Sequence, residues 1–435
     1  MEGKKSAKGE DTMTQLEKQL IEWRRDFHQY PELGFLEMRT STIVADILED
    51  LGYDLEIGRA VMDPDYCMGK PSDAETKQHL EWARENGAIE KYLGLVSEGY
   101  TGIVATLDTG KPGPTVAYRV DMDALPIVEA TGDDHVPVKE DFRSTNDNMH
   151  ACGHDVHTTI GLGLATKLME NKDQLKGKIK LIFQPAEEGT RGARSMVEAG
   201  VVSDVDYFVA SHIGTGVPHD HFVAANNGFL ATSKMDVTFK GRSSHAGGNP
   251  EEGKNAMLAA ANAVLNLNAI PRHSGGATRI NVGELHAGSG RNIIADHAAL
   301  KIETRGETSD INDYVKSQAE AVIEGAAKMY GVTHHIELVG EGESADCSLE
   351  VAEVLKDIAQ QEGLSSDLRS DASAGSEDAT FFINAVQKHG GQGTYCIFGT
   401  ELAAGHHNEK FDINEDSMPH AVNILFESAK ALVEK

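Results

Sequence analysis

Cys152-Gly153-His154-Asp155 lies inside the longer run Met149-His150-Ala151-Cys152-Gly153-His154-Asp155-Val156-His157-Thr158, at the start of what reads as a buried helix. A thiol, several imidazoles and a carboxylate packed this closely suit metal coordination, because sulfur, nitrogen and oxygen donors together hold a borderline divalent ion. Glu187-Glu188, His212 and the pair His406-His407 each follow an apolar, strand-like run, so ligand-type side chains recur where separate strands would stop. One Cys, three His and one Glu fit two ions sharing a bridge better than one ion. Cys152 is then the bridge, with His154 and His212 on one ion and Glu188 and a histidine of the 406–407 pair on the other. Two other readings compete. A Cys152 nucleophile with a histidine base leaves Glu187-Glu188 and the 406–407 pair without a task. Buried Cys and His side chains with no chemistry leave their recurrence at strand ends unexplained.

Adjacent carboxylates can divide labour, and in Gln184-Pro185-Ala186-Glu187-Glu188-Gly189 Glu187 is the candidate general base beside Glu188 the ligand. Water on a divalent ion has a pKa of roughly 7, so a neighbouring carboxylate can take its proton at neutral pH and pass it to a leaving amine. In Arg119-Val120-Asp121-Met122-Asp123-Ala124-Leu125-Pro126, Asp121 and Asp123 are placed to orient ligand imidazoles through hydrogen bonds, or to pair with Arg119. Asp155 and His157 divide between that role and helix capping. Further along, Gly241-Arg242-Ser243-Ser244-His245-Ala246-Gly247 sets His245 in a loop of small residues. Gly288-Ser289-Gly290-Arg291-Asn292 and Arg305 offer the cations and amide that an anionic substrate needs.

These residues must be carried by a scaffold. Apolar runs at 102–107, 115–120, 178–183, 205–211 and 394–398 read as strands, and 158–169 and 192–199 as helices between them. The alternation predicts an α/β fold: a mostly parallel sheet with helices on both faces, whose ligands gather beyond the carboxyl ends of the strands. Helices are expected at 16–28 and 37–51. The polar stretch 54–99, helical around 72–93, reads as an insertion outside the core. Between 229 and 340 the order becomes strand, helix, strand, strand, helix, strand, the βαββαβ order of a ferredoxin-like module inserted into the first domain. The expected division is a disordered leader at 1–12, a metal-binding domain at 13–228 and 341–435, and an inserted domain at 229–340.

The chain has 435 residues and 40% hydrophobic content, enough for a large core. With 40 Lys+Arg against 69 Asp+Glu and a formal charge of -29, it lacks the clustered cations that nucleic-acid binding requires. Its four cysteines are scattered, and no apolar run is long enough to span a bilayer, so a soluble protein of the reducing cytoplasm is expected.

Arg-x-Asp-x-Asp-Ala-Leu-Pro, Met-His-Ala-Cys-Gly-His-Asp, Gln-Pro-Ala-Glu-Glu-Gly, Ser-His-Ala-Gly and His407-x-x-x-Phe411, in that order, resemble the M20 metallopeptidase family, in its amidohydrolase branch of hippurate and indole-acetyl-amino-acid hydrolases. The resemblance implies a catalytic domain with two divalent ions, manganese foremost and zinc or cobalt as alternatives, and a lid domain through which the chain pairs as a homodimer or with a homologous subunit. It implies Cys152, His154, Glu188, His212 and His407 as ligands and Glu187 as base. It also implies that His245 reaches the partner's site to stabilise an oxyanion and that Asn292 contacts substrate there. The activity implied is hydrolysis of an N-acyl amino acid. Ala295 and Val156 depart from residues frequent in the family, and neither removes a ligand.

Overall fold

In the computed structural model, residues 13–372 and 375–435 are described; the segment 1–12, expected above as a leader, lies outside them. In chain order, β1 (Asp54–Ile57), β2 (Ile103–Asp108), β3 (Thr115–Asp121), β4 (Lys178–Gln184), β5 (Tyr207–Ile213) and β6 (His221–Val223) enter one sheet. The next four, β7 (Ala231–Lys240), β8 (Thr278–Ala287), β9 (His297–Gly306) and β10 (Thr333–Gly342), form another, after which β11 (Ser365–Asp367) and β12 (Gln392–Phe398) return to the first.

The large sheet has the order β1-β2-β4-β3-β5-β12-β6-β11. Its centre is parallel, β3 pairing with β4 and β5 and β5 with β12, so four adjacent strands end on one edge of the sheet. Toward β1 it turns antiparallel. Successive side chains of a strand point to opposite faces. On β5, Phe208 stacks on Phe382 of the helix Thr380–Lys388, while Val209 and Ser211 face Gly161 and Leu164 of the helix His154–Glu170. Helices therefore cover both faces.

The helix His154–Glu170 is buried on every side from His154 to Ala165, and its middle, Ile160 to Ala165, is made of apolar residues and glycine. A Cβ at Gly161 would lie 2.9 Å from Val120 and Phe183 of the sheet, and one at Gly163 would lie 2.7 Å from Leu20 and 2.8 Å from Val422 on flanking helices. These glycines let the sheet, the helix Gln15–Gln29 and the helix Ser417–Leu432 close on it, which fixes the helix N-terminus and His154 against the strand ends.

One expectation needs correction. The segment 54–99 does not stand outside the core: β1 pairs with β2, and Val61, Met62, Ala83, Tyr92, Leu93 and Val96 are buried in the main hydrophobic cluster. Its apolar residues are spread among charged ones, since only one side of each short helix faces inward, and the polarity of the other side masks the burial.

The second sheet is antiparallel throughout, in the order β10-β7-β9-β8. Met235, Val237 and Phe239 of β7 and Ala298, Leu300 and Ile302 of β9 alternate onto one face. There they meet Ala256, Ala259, Ala260 and Ala263 of the helix Ala256–Asn268 and Ala319, Ile323 and Ala326 of the helix Ser309–Tyr330. This cluster is separate from the main one, and β8 leaves its outer edge unpaired among the described residues.

Candidate active site

Four parallel strand ends deliver the site. Asp121 is the last residue of β3, Gln184 the last of β4, His212 the penultimate residue of β5, and the loop after β12 leads to His406 and His407. Behind them Arg119, fully buried, donates to Gln184 Oε1 (2.7 Å), Asp121 Oδ2 (2.6 Å), Glu377 Oε1 (3.0 Å) and Asp378 Oδ1 (3.3 Å), tying β3 and β4 to the turn before the helix Thr380–Lys388. Asp121 Oδ1 accepts from His157 Nδ1 at 2.6 Å, and His157 Nε2 accepts the Ile213 amide at 2.9 Å. Both nitrogens of His157 are thus spent, which removes it as a ligand.

Asp123 works differently. Its Oδ1 accepts from His154 Nδ1 (3.2 Å) and the Glu187 amide (3.0 Å), and its Oδ2 from the Glu188 amide (2.9 Å). One carboxylate therefore orients an imidazole and the backbone of both glutamates. With Nδ1 donating, His154 turns Nε2 inward, where it is buried without a hydrogen-bond partner, 3.8 Å from Glu187 Oε2. His212 Nδ1 donates to the Ile213 carbonyl (2.8 Å), leaving Nε2 at 3.5 Å from Cys152 Sγ. An imidazole with one nitrogen pinned and the other bare is the form that binds metal.

His407, in the left-handed region at φ 62, has its amide on the Ala151 carbonyl (2.8 Å) and its Nε2 at 3.3 Å from Glu188 Oε1. The neighbouring His406 turns its Nε2 to the Ile213 carbonyl at 3.2 Å, burial lowers it to about 4, and it belongs to neither group of converging donor atoms. The donor atoms of Cys152, His154 and His212 lie within 4.8 Å of one another, as do those of Cys152, Glu188 and His407, so the thiol is common to both groups. Gly153, at φ 88, makes this possible, for a Cβ there would strike Ile213 Cγ2 at 2.6 Å. Ala186, at φ 52, is a second left-handed position, held where the Glu37 carboxylate accepts its amide at 2.8 Å. Non-glycine residues in that region are strained, and here the strain turns Glu187 and Glu188 toward the strand ends.

The electrostatics are those of a centre short of positive charge. Burial pushes the Cys152 thiol well above its usual range, and Glu188 and Glu187 push it further. Glu187 is raised in the same way, by burial and then by Glu377, Glu188 and Asp378. Burial lowers His154, but Asp121 and Asp123 outweigh it and carry the ring up to about 10. Burial, with His157 and His406 as further causes, holds His212 well below its ordinary value. Divalent cations would answer the excess of acid, and the bare Nε2 of His154 fits them. Residues 152, 154, 188, 212 and 407 could hold such ions.

Asp155, expected as a possible support for a ligand, belongs elsewhere. Its Oδ2 accepts from Arg24 Nε (3.1 Å) and His28 Nδ1 (2.7 Å), in a buried network on the far side of its helix. Adjacent residues on a helix point about 100° apart, so His154 and Asp155 cannot serve one centre. A cavity of about 720 Å³ opens over these donor groups, with Cys152, Glu187, Glu188, His212 and His407 on one wall and Lys234 and Arg305 on another. His245, Arg291 and Asn292 do not line it. Within one chain they sit in a separate loop pair, where His245 bridges to Ile293 and Ala246 N–H donates to the Asn292 carbonyl at 3.0 Å.

Glu377, Asp378, Tyr395, Glu37 and Lys234 escape sequence reasoning. The Glu377-Asp378 pair just ahead of an apolar helix was the available signal: Asp378 Oδ2 accepts the Gly192 and Ala193 amides (3.1 and 3.0 Å), and Tyr395 donates to Glu377 Oε2 (2.7 Å). Glu37 and Lys234 carry no such signal, looking like an acid at a helix start and an outward residue of a strand.

A thiol shared between two donor groups, fed by parallel strand ends and flanked by a buried carboxyl, is the layout of a metallohydrolase. The chain belongs to peptidase family M20/M25/M40, whose model matches residues 117–431. It is 53% identical over 414 residues, 94% of this chain and 95% of the relative, to the indole-3-acetyl-aspartic acid hydrolase of Enterobacter agglomerans. It is 52% identical over 413 residues, with 94% and 95% covered, to a subunit of the p-aminobenzoyl-glutamate hydrolase of Escherichia coli K12. The crystal structure of the aminobenzoyl-glutamate utilization protein from Klebsiella pneumoniae superposes with a TM-score of 0.84 at 46% identity, over 96% of each chain.

Proposed function

We propose that this protein hydrolyses the amide bond of an N-acyl amino acid, with p-aminobenzoyl-glutamate, cleaved to p-aminobenzoate and glutamate, as its foremost substrate. The observation that carries the reading is the placement of Glu187: a buried carboxyl beside a thiol shared by two donor groups, on the wall of a cavity whose other side bears Lys234 and Arg305. The names of the relatives, one an indole-acetyl-aspartate hydrolase and the other part of an aroyl-glutamate hydrolase, point the same way. Other N-acyl amino acids, hippurate, indole-acetyl-aspartate and N-acetyl amino acids among them, fit the same chemistry.

Two divalent ions, manganese foremost with zinc or cobalt as alternatives, would supply Lewis acidity to the amide carbonyl and to the attacking water. Cys152 would serve both ions, with His154 and His212 holding one and Glu188 and His407 the other. Asp121 and Asp123 keep the imidazoles in register. Glu187 removes a proton from the attacking water and delivers it to the leaving nitrogen; its burial keeps the carboxyl basic enough for both tasks. Arg305, and Arg291 and Asn292 from a partner, bind the anionic end of the substrate, and His245 of a partner donates to the developing oxyanion.

The domains follow the two hydrophobic clusters: 13–228 with 341–435 for catalysis, and 229–340 as a ferredoxin-like lid and dimerisation module. The free edge of β8 and the exposed Leu258, Leu265, Leu285 and Ile293 support pairing through that module, as a homodimer or with a homologous subunit. The cysteines are free and no described helix is long and apolar enough to cross a membrane, which supports a cytoplasmic site of action.

Protein loaded with manganese is expected to release p-aminobenzoate from p-aminobenzoyl-glutamate, and a chelator to stop it. Mixing His245→Ala with Glu187→Ala protein is expected to restore part of the activity, since a mixed dimer regains one whole site. Absence of turnover by the loaded chain, together with turnover once a homologous chain is supplied, would favour a role as a non-catalytic or half-competent partner.

A further inference from the structure

We propose that Lys234 binds a carboxylate of the amino-acid half of the substrate, a role that rests on the N-acyl amino acid reading above. Lys234 stands in β7, opposite Glu303 of β9 on one side and Gly340 of β10 on the other. Glu303 gives its carboxylate to Arg305 (3.0 Å), and the Lys234 side chain makes no hydrogen bond and no salt bridge among the described residues. In a chain of net charge -29, the Lys234 ammonium is half-buried on the wall of the metal-facing cavity, in the field of Glu303, Glu187 and Glu188 but in ion-pair contact with none of them, so an anion entering the cavity can take that contact.

The backbone is built to put it there. β10 shifts register between Leu338 and Gly340, a bulge directly across from Lys234. A Cβ at Gly340 would lie 2.3 Å from the Gly189 carbonyl and 3.2 Å from Lys234 Cδ. The absent side chain therefore lets the second sheet press onto the loop that carries Glu187 and Glu188, and leaves a channel for the aliphatic stem of Lys234. The Glu341 amide, donating to the Thr190 carbonyl at 2.8 Å, locks that contact. Lys234 is consequently the cation of the second sheet that is fixed beside the catalytic loop of the same chain. Arg305, tied to Glu303, can only add to it.

The test compares the manganese-loaded wild type with Lys234→Met, which keeps the stem and removes the charge, on p-aminobenzoyl-glutamate and on its α-amide and γ-amide. Loss of a charge-assisted hydrogen bond is expected to raise KM for the dicarboxylate about 10- to 100-fold with little change in kcat. One of the two monoamides, the one lacking the carboxylate that Lys234 holds, is expected to feel no further loss. An equal fall on all three substrates, or a fall carried by kcat, overturns the assignment. Glutarate binding, measured by calorimetry with no turnover required, gives an independent reading: affinity should drop at least about tenfold in Lys234→Met. Unchanged affinity, or no glutarate binding by the wild type, overturns it. If glutarate binding depends on Lys234 while no N-acyl amino acid is cleaved, the catalytic reading falls and the anion site stands.

Discussion

Two buried ionic clusters begin at neighbouring residues and part company. From His154 the chain builds the group of Cys152, Glu187, Glu188 and His212; from Asp155 it builds Arg24, His28, Glu129 and Asp412 on the other side of the same helix. In the second cluster every charge is met: Arg24 reaches Asp155 at 3.1 Å, Asp412 at 2.6 Å and Glu415 at 3.3 Å, while His28 spans Asp155 and Glu129 at 2.7 and 2.9 Å. Burial lowers His28, but Asp155 and Glu129 outweigh it and raise the ring to about 9. In the first cluster acids crowd one another and His154 Nε2 is left bare. A completed network holds chain segments together, whereas an incomplete one of equal burial is kept for something that arrives later.

Substitutions should separate the two clusters. Glu187→Gln is expected to cut kcat by about 10²- to 10⁴-fold, with the bound metal, counted by mass spectrometry, and the melting temperature unchanged. A melting point that drops with the activity would make Glu187 a structural acid instead. Arg24→Met should do the reverse. Removing one partner of a buried ionic group costs about 3 to 5 kcal/mol in urea unfolding, while kcat per metal-loaded molecule stays near wild type; a loss of kcat at full metal loading would join the two clusters.

The same contrast has a pH signature. His28 has its folded pKa above the unfolded value of 6.5, so its stabilisation is whole below that value and is lost as pH rises toward about 9. Across that window it amounts to about 3 kcal/mol. His28→Gln should flatten the fall of unfolding free energy over this range, and an unchanged slope would assign the fall to other groups. Gly153→Ala carries the smallest expected effect. The left-handed backbone and the 2.6 Å approach to Ile213 cost about 1 to 3 kcal/mol, and metal affinity should weaken with it. Crystals of this variant with both donor groups undisturbed would show that the turn is more tolerant than its packing implies.

The convergence of these donor side chains was legible because each sits in a short stretch of unusual composition just after an apolar run, and strand ends in a parallel sheet converge. The strand-helix alternation was legible for the same reason. What could not be read was pairing across distance. Asp155 looks like a helper of His154 until Arg24, 131 residues away, claims it. Glu377 and Asp378 gain meaning only from Arg119, 258 and 259 residues off. Lys234 reads as an outward residue of an alternating strand, and only the stacking of the second sheet on the loop of Glu187 and Glu188 turns outward into cavity-facing. The segment 54–99 was misjudged as external because burial there is shared among short helices, none with a long apolar stripe.

Asp123 leaves a different kind of mark. Because its two oxygens hold the His154 ring and the backbone amides of Glu187 and Glu188 at once, Asp123 is the residue whose own replacement should disturb all three together, whereas a new side chain at 187 or 188 leaves its amide in place. The opposite wall is held differently, for β7 and β9 contribute Lys234 and Arg305 from a sheet with its own hydrophobic cluster. Substitutions on that wall should therefore alter which substrates bind while the His154 ring and the backbone of residues 187 and 188 keep their places.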